Sequence, residues 1–227
     1  MNDKPQIKLS ETVVLIDAAF LNFVITDMKG YFEETLRRSL QDIDLSMLTT
    51  YLTLDAGITE GKNEVQFLFV YDEESDQLVH CHPSDLVKEL NGVAFQSPYG
   101  EYSFASVPSE GMVSREDLFL DLLSIVADSA DVKRMIVVSF NEEYGKKVSD
   151  ALHEVKGKEI IQFRMNEPEV QVDIDMMMLI DFFDTFRTIV PFCNHFHFNL
   201  RTLHGIPFTY HRSESTVTTK VGVAGHQ

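Results

Sequence analysis

Four aliphatic residues in succession, Val13-Val14-Leu15-Ile16, run into a single carboxylate at Asp17 and then into Ala18-Ala19-Phe20-Leu21. A strand with one wet face alternates apolar and polar side chains. An unbroken aliphatic run is buried on both faces, as in a parallel sheet covered by helices. The rest of the sequence keeps that rhythm. Strands are predicted at 12–17, 64–71, 133–139 and 159–164, and helices at 18–40, 43–54, 114–130 and 142–155, with Gly30 as the place where the first helix would break. Strands alternating with helices imply right-handed βαβ units. The expected fold is therefore α/β, a three-layer sandwich with a mainly parallel central sheet, formed by one domain over 1–227. Residues 72–76 are expected to be a polar turn, 77–80 a returning hairpin strand, 83–91 a short helix, and 93–107 a strand plus loop.

In such sheets the carboxyl ends of the strands border the crevice where ligands sit. Asp17 stands at that edge with two roles open to it. Its oxygen can cap the helix that follows, or it can ligate a metal ion. The segment Ser114-Arg115-Glu116-Asp117 begins with a helix cap, and the strand at 133–139 leads into Ser139-Phe140-Asn141-Glu142-Glu143-Tyr144. A parallel sheet would gather Asp17, Asp117, Asn141 and Glu143 at one rim. Oxygen ligands of that kind suit Mg²⁺ or Mn²⁺, which activates bound water against a phosphodiester.

These motifs resemble those of the NYN/PIN-like ribonuclease superfamily: Leu15-Ile16-Asp17-Ala18, Ser114-Arg115-Glu116-Asp117, Val138-Ser139-Phe140-Asn141-Glu142-Glu143-Tyr144 and Gly157-Lys158-Glu159-Ile160-Ile161. The resemblance covers 12–164, and 56–110 is unlike a typical member. It implies a Mg²⁺- or Mn²⁺-dependent endoribonuclease acting on RNA. Asp17, Asp117 and Glu143 would be catalytic, and Asp17, Asp117, Asn141 and Glu143 would be the metal ligands. Three departures weaken that site. Phe140 replaces a small residue, Asn141 brings no charge where the pattern has an acid, and Glu143 is one methylene longer than the expected Asp. A lost charge lowers both metal affinity and transition-state stabilisation.

The chain carries 36 acidic residues against 19 Lys and Arg, a formal net charge of −17. That opposes non-specific binding to a phosphate backbone. Two distant cysteines, Cys81 and Cys193, fit a reducing compartment. With no signal-peptide pattern and no long apolar stretch, the expectation is a cytoplasmic protein that does not enter a membrane. Gly-x-Gly-x-x-Gly, P-loop and Gly-x-Ser-x-Gly patterns are absent from the sequence.

Past Pro168 the composition changes, and 165–227 is expected to be a C-terminal extension of helix and tail. Residues 172–187, rich in Met and Phe, are predicted to be a helix apolar on most sides and suited to a homodimer interface. Cys193, His195 and His197 alternate along a predicted strand and, with His80-Cys81-His82, read either as a second metal-type constellation or as the polar face of a half-buried edge strand. The rival to the nuclease is therefore a non-catalytic, self-associating interaction protein that keeps the fold.

Overall fold

The computed structural model describes residues 8–165 and 189, together with the backbone of 177–181. All of these belong to one compact unit. The aliphatic run forms β1 (Thr12–Asp17), every residue of which is buried. It lies at the centre of the sheet. On one side it pairs in parallel with β3 (Asn63–Tyr71), with Ile16 opposite Phe69. On the other it pairs in parallel with β7 (Arg134–Val138), with Ile16 opposite Val138. The central sheet has six parallel strands, completed by β6 (Gly100–Pro108), β8 (Glu159–Arg164) and β9 (Met177–Asp181). Strand β5 (Ala94–Ser97) adds to β6 in the antiparallel sense, giving the order β5-β6-β3-β1-β7-β8-β9.

Alternation along the strands divides the core in two. Val14 and Ile16 face a cluster with α1 (Ala18–Leu36) and α2 (Leu45–Asp55), where Phe20, Leu21 and Leu48 are fully buried. Val13 and Leu15 face α3 (Arg115–Asp128) and α4 (Asn141–Glu154) through Phe119, Leu123, Tyr144 and Val148. Helices on both faces explain why the strand is aliphatic from Val13 to Ile16, with no alternating polar position. Each fully buried Leu or Phe contributes about 1.5–3 kcal/mol by leaving water. A buried hydroxyl pair, Thr53 Oγ1 and Tyr102 Oη at 2.5 Å, ties α2 to β6.

Several elements differ from expectation. Gly30 does not break α1, because a single exposed helical glycine costs only about 1 kcal/mol. The helix stops instead at Arg37, which adopts a left-handed cap (φ 52°). Residues 77–80 do not return as a hairpin strand. Cys81–His82 forms a two-residue strand, β4, parallel to Ile43–Asp44, β2. The Asn22 side chain fixes the approach to it, donating to Gln77 O (2.9 Å) and accepting from Val79 N (2.9 Å). The short helix is a single π-type turn, Leu86–Leu90, capped by Asp85.

The region 56–110, unread by motif, supplies β3, β5 and β6, nearly half of the central sheet. The apolar helix expected at 172–187 is corrected over Met177–Asp181, which form β9 beside β8. The rest of that segment lies outside the described residues.

Candidate functional site

Parallel pairing brings the carboxyl ends of β1, β3, β6 and β7 to one rim. Asp17, the last residue of β1, is fully buried there. Its Oδ1 accepts from Phe20 N (3.1 Å) and caps α1, since a strand that passes directly into a helix leaves backbone donors that need an acceptor. Its Oδ2 accepts from Arg115 Nε (3.0 Å) and from the Tyr144 hydroxyl. Asp17 is thus both a helix cap and an ion-pair partner, and both of its oxygens are engaged.

Arg115, the first residue of α3, organises the rim. Its guanidinium makes three separate bonds, one from each nitrogen. Nε donates to Asp17, Nη1 to Asp72 Oδ2 (2.6 Å) and Nη2 to Glu143 Oε2 (2.7 Å). Its Cζ lies 5.7 Å from the Phe140 ring centroid, and that ring is in turn packed against Phe20 and Phe23. Arginine suits this place because its planar fork serves several acceptors at once and stays charged when partly desolvated. Partial burial pulls its pKa down, but Asp17 and Asp72 outweigh that and raise it.

Asp72 follows β3, and the turn after it is closed by Ser75, whose hydroxyl donates to Asp72 Oδ1 (2.6 Å). Partial burial pushes the Asp72 carboxyl up, yet Ser75 and Arg115 hold it below its ordinary value. Tyr144 sits where the first turn of α4 departs from helical geometry (φ −139°, ψ 18°). Burial raises the pKa of its phenol, and the neighbouring Asp17 carboxylate raises it further, so the hydroxyl stays protonated and donates.

The four sequence-predicted site residues separate into two groups. Asp17 and Glu143 come together on Arg115. Asp117 is held at its own helix end, accepting the Ser114 hydroxyl on Oδ2 (2.7 Å) while its backbone N–H donates to Ser114 Oγ (3.0 Å). The Ser114 side chain is thus the helix cap, worth about 1 kcal/mol, and Asp117 orients its hydroxyl. Asn141 faces the next strand, accepting from Ser139 Oγ (3.3 Å) and Gln162 Nε2 (3.2 Å) and donating to Phe163 O (3.4 Å).

As arranged, the donor set does not suit Mg²⁺ or Mn²⁺. A guanidinium stands among the carboxylates a cation would need, and among the described residues no three His, Cys, Asp or Glu side chains are placed to hold a metal ion. His80 and His82 both turn to Asp42, at 3.4 and 3.3 Å, and Asp42 also accepts from Lys29 Nζ (2.8 Å). Cys81 between them is buried. Cys193, His195 and His197 lie outside the described residues.

Arg115, Asp72 and Tyr144 were not singled out from the sequence. Asp72 carried a usable signal, because it directly follows a strand parallel to β1 and emerges at the same rim as Asp17.

A family model matches residues 6–181. The chain belongs to DUF6621, a family of unknown function. Searches of curated proteins and of solved structures returned no match. The matched span of this DUF6621 chain takes in every strand from β1 to β9 and every residue of the Arg115 cluster, so the rim lies within the part that defines the family.

Proposed function

We propose that this chain is a non-catalytic interaction protein built on a divergent NYN/PIN-like α/β layout, in which an internal guanidinium takes the place that a catalytic cation would need. The observation that carries this reading is the trio of bonds from Arg115 to Asp17, Asp72 and Glu143. Asp17 is fully buried and already accepts three hydrogen bonds, two of them on Oδ2, which disfavours it as a metal ligand or as a base toward water. The apolar helix on which self-association through 172–187 depended is replaced over Met177–Asp181 by a strand paired with β8. None of the described helices is long and apolar enough to cross a membrane. A cytoplasmic setting is proposed from cysteine usage alone.

The rival reading is a Mg²⁺- or Mn²⁺-dependent endoribonuclease using Asp17, Asp117 and Glu143. It draws on the meeting of Asp17 and Glu143 at a single rim. Incubation with single-stranded RNA and either ion, alongside calorimetric titration of both ions, separates the two. The proposal expects no cleavage and no binding heat. Cleavage that disappears in Glu143→Gln, with the circular dichroism spectrum unchanged, would overturn it. Glu143 is half exposed, so that variant should retain the fold.

A further inference from the structure

The segments that leave the carboxyl ends of β3, β6 and β7 are 72–76, 109–117 and 139–143. Together they carry nine acidic residues and one basic one, Arg115. Glu73, Glu74, Asp76, Glu110, Asp117, Glu142 and Glu143 are exposed. Arg115 bonds to Asp17, Asp72 and Glu143, and Lys147 reaches Glu116. The field this creates is felt by Tyr71, whose phenol is raised by burial and then by Asp76 and Glu110. Like charges gathered on one edge repel one another, and that repulsion is relieved when a cationic surface covers them.

The same rim is not wholly polar. Phe23 of α1 is 45% exposed and lies stacked on Phe140 at 5.7 Å between centroids. Met112 is completely exposed and Val113 is 47% exposed, two and three residues before Arg115. Aromatic and Met side chains left in water are what interface anchors look like.

We infer that this rim docks a basic segment of a partner protein, one whose Lys or Arg residues alternate with aromatic or aliphatic side chains. The apolar side chains would cover Phe23 and Met112, while the cations meet Glu73, Glu74 and Glu142. The inference rests on the interaction-protein reading and gives that interaction its surface and its partner chemistry. A phosphate backbone is the wrong occupant, because the rim would repel it.

The test is fluorescence anisotropy with a synthetic peptide alternating Arg and Lys with Phe and Leu, and with a Glu-for-Arg/Lys analogue. Three proteins are compared: wild type, Glu73→Gln/Glu74→Gln/Glu142→Gln at the rim, and Glu60→Gln/Glu64→Gln/Glu101→Gln near the amino ends of β3 and β6. Both triple variants remove the same charge from exposed positions. The expected result is binding of the basic peptide only, weakened about tenfold or more in the rim variant and unchanged in the other. Phe23→Ser/Met112→Ser should weaken it independently of salt. Equal losses in the two triple variants would mean bulk charge rather than a site and would overturn the inference. So would no binding at all, or displacement of the peptide by single-stranded RNA. RNA cleavage by the wild type would instead defeat the parent reading, so the two failures are distinct.

Discussion

Replacing Arg115 by Met tests how much of the rim depends on its guanidinium. The three carboxylates it serves differ sharply in exposure: Asp17 is buried, Asp72 is 29% exposed and Glu143 is 50% exposed. Water screens the last two, and their loss costs about 0–1 kcal/mol each. Asp17 differs, because removing one partner of a buried pair leaves an uncompensated charge and costs about 3–5 kcal/mol. Asp17 retains the Tyr144 hydroxyl and the Phe20 amide, so the lower end applies. The expected loss is about 3–4 kcal/mol. At roughly 2–4 °C per kcal/mol for a domain of this size, the melting temperature should fall by about 6–16 °C.

Arg134→Met is the control. Its partner Glu159 is 54% exposed, and the expected cost is under about 1 kcal/mol. The double variant Asp17→Asn/Arg115→Met removes the orphaned charge and should be more stable than Arg115→Met alone, although it breaks the same ion pair. Scanning calorimetry on all four proteins reads these differences. An Arg115→Met protein melting within about 2 °C of wild type, a shift worth no more than about 1 kcal/mol, would refute the reasoning. A double variant less stable than Arg115→Met would do the same.

Other expectations follow from the same contacts. Tyr144→Phe keeps the ring packed on Phe119 (5.5 Å) but removes a hydrogen bond to a charged acceptor, and chemical denaturation should show a loss of about 1.5–3 kcal/mol. The folded-state pKa of Asp72 is lowered, so its stabilisation is fully present above the unfolded value of about 3.9 and is lost as pH falls through the folded value. Acid unfolding curves of Asp72→Asn should therefore be flatter below about pH 4 than those of wild type. Gly100→Ala should destabilise by about 3 kcal/mol or more, because φ is +137° there and a Cβ would collide with the Asn63 backbone where β6 meets β3. Thermal melting reads that directly.

The architecture was legible wherever burial on two faces leaves a compositional mark. Val13 to Ile16, Met135 to Val138 and the Ser114 cap were each enough to place β1, β7 and α3. The rim was legible only in part. Asp17 and Glu143 could be assigned to one edge because strand polarity fixes where each emerges. What occupies that edge could not, since Arg115 meets Asp17 across 98 positions of sequence and Asp72 across 43. Local pattern points the other way at Asp117, where an acid in the first turn reads equally well as a ligand or as a cap.

The segment Met177–Asp181 shows a different limit. Four apolar residues and a terminal Asp have no decisive period, and the open edge of β8 took them as a strand where composition favoured a helix. Within 56–110 the strand at 64–71 was legible from its apolar run, whereas the pairing of β6 with β3 rests on long-range contact and leaves no local motif.

The proposal turns on Arg115 holding Asp17, Asp72 and Glu143 at the rim and not being displaced by a divalent ion. Heteronuclear NMR of the Arg115 Nε–H, assigned by its loss in Arg115→Met, addresses this most directly. A slowly exchanging resonance that does not shift as Mg²⁺ or Mn²⁺ is raised through the millimolar range is the predicted result, with paramagnetic broadening absent for Mn²⁺. A resonance that exchanges like a solvent-exposed arginine, or that moves or broadens as the ion is added, would contradict the account.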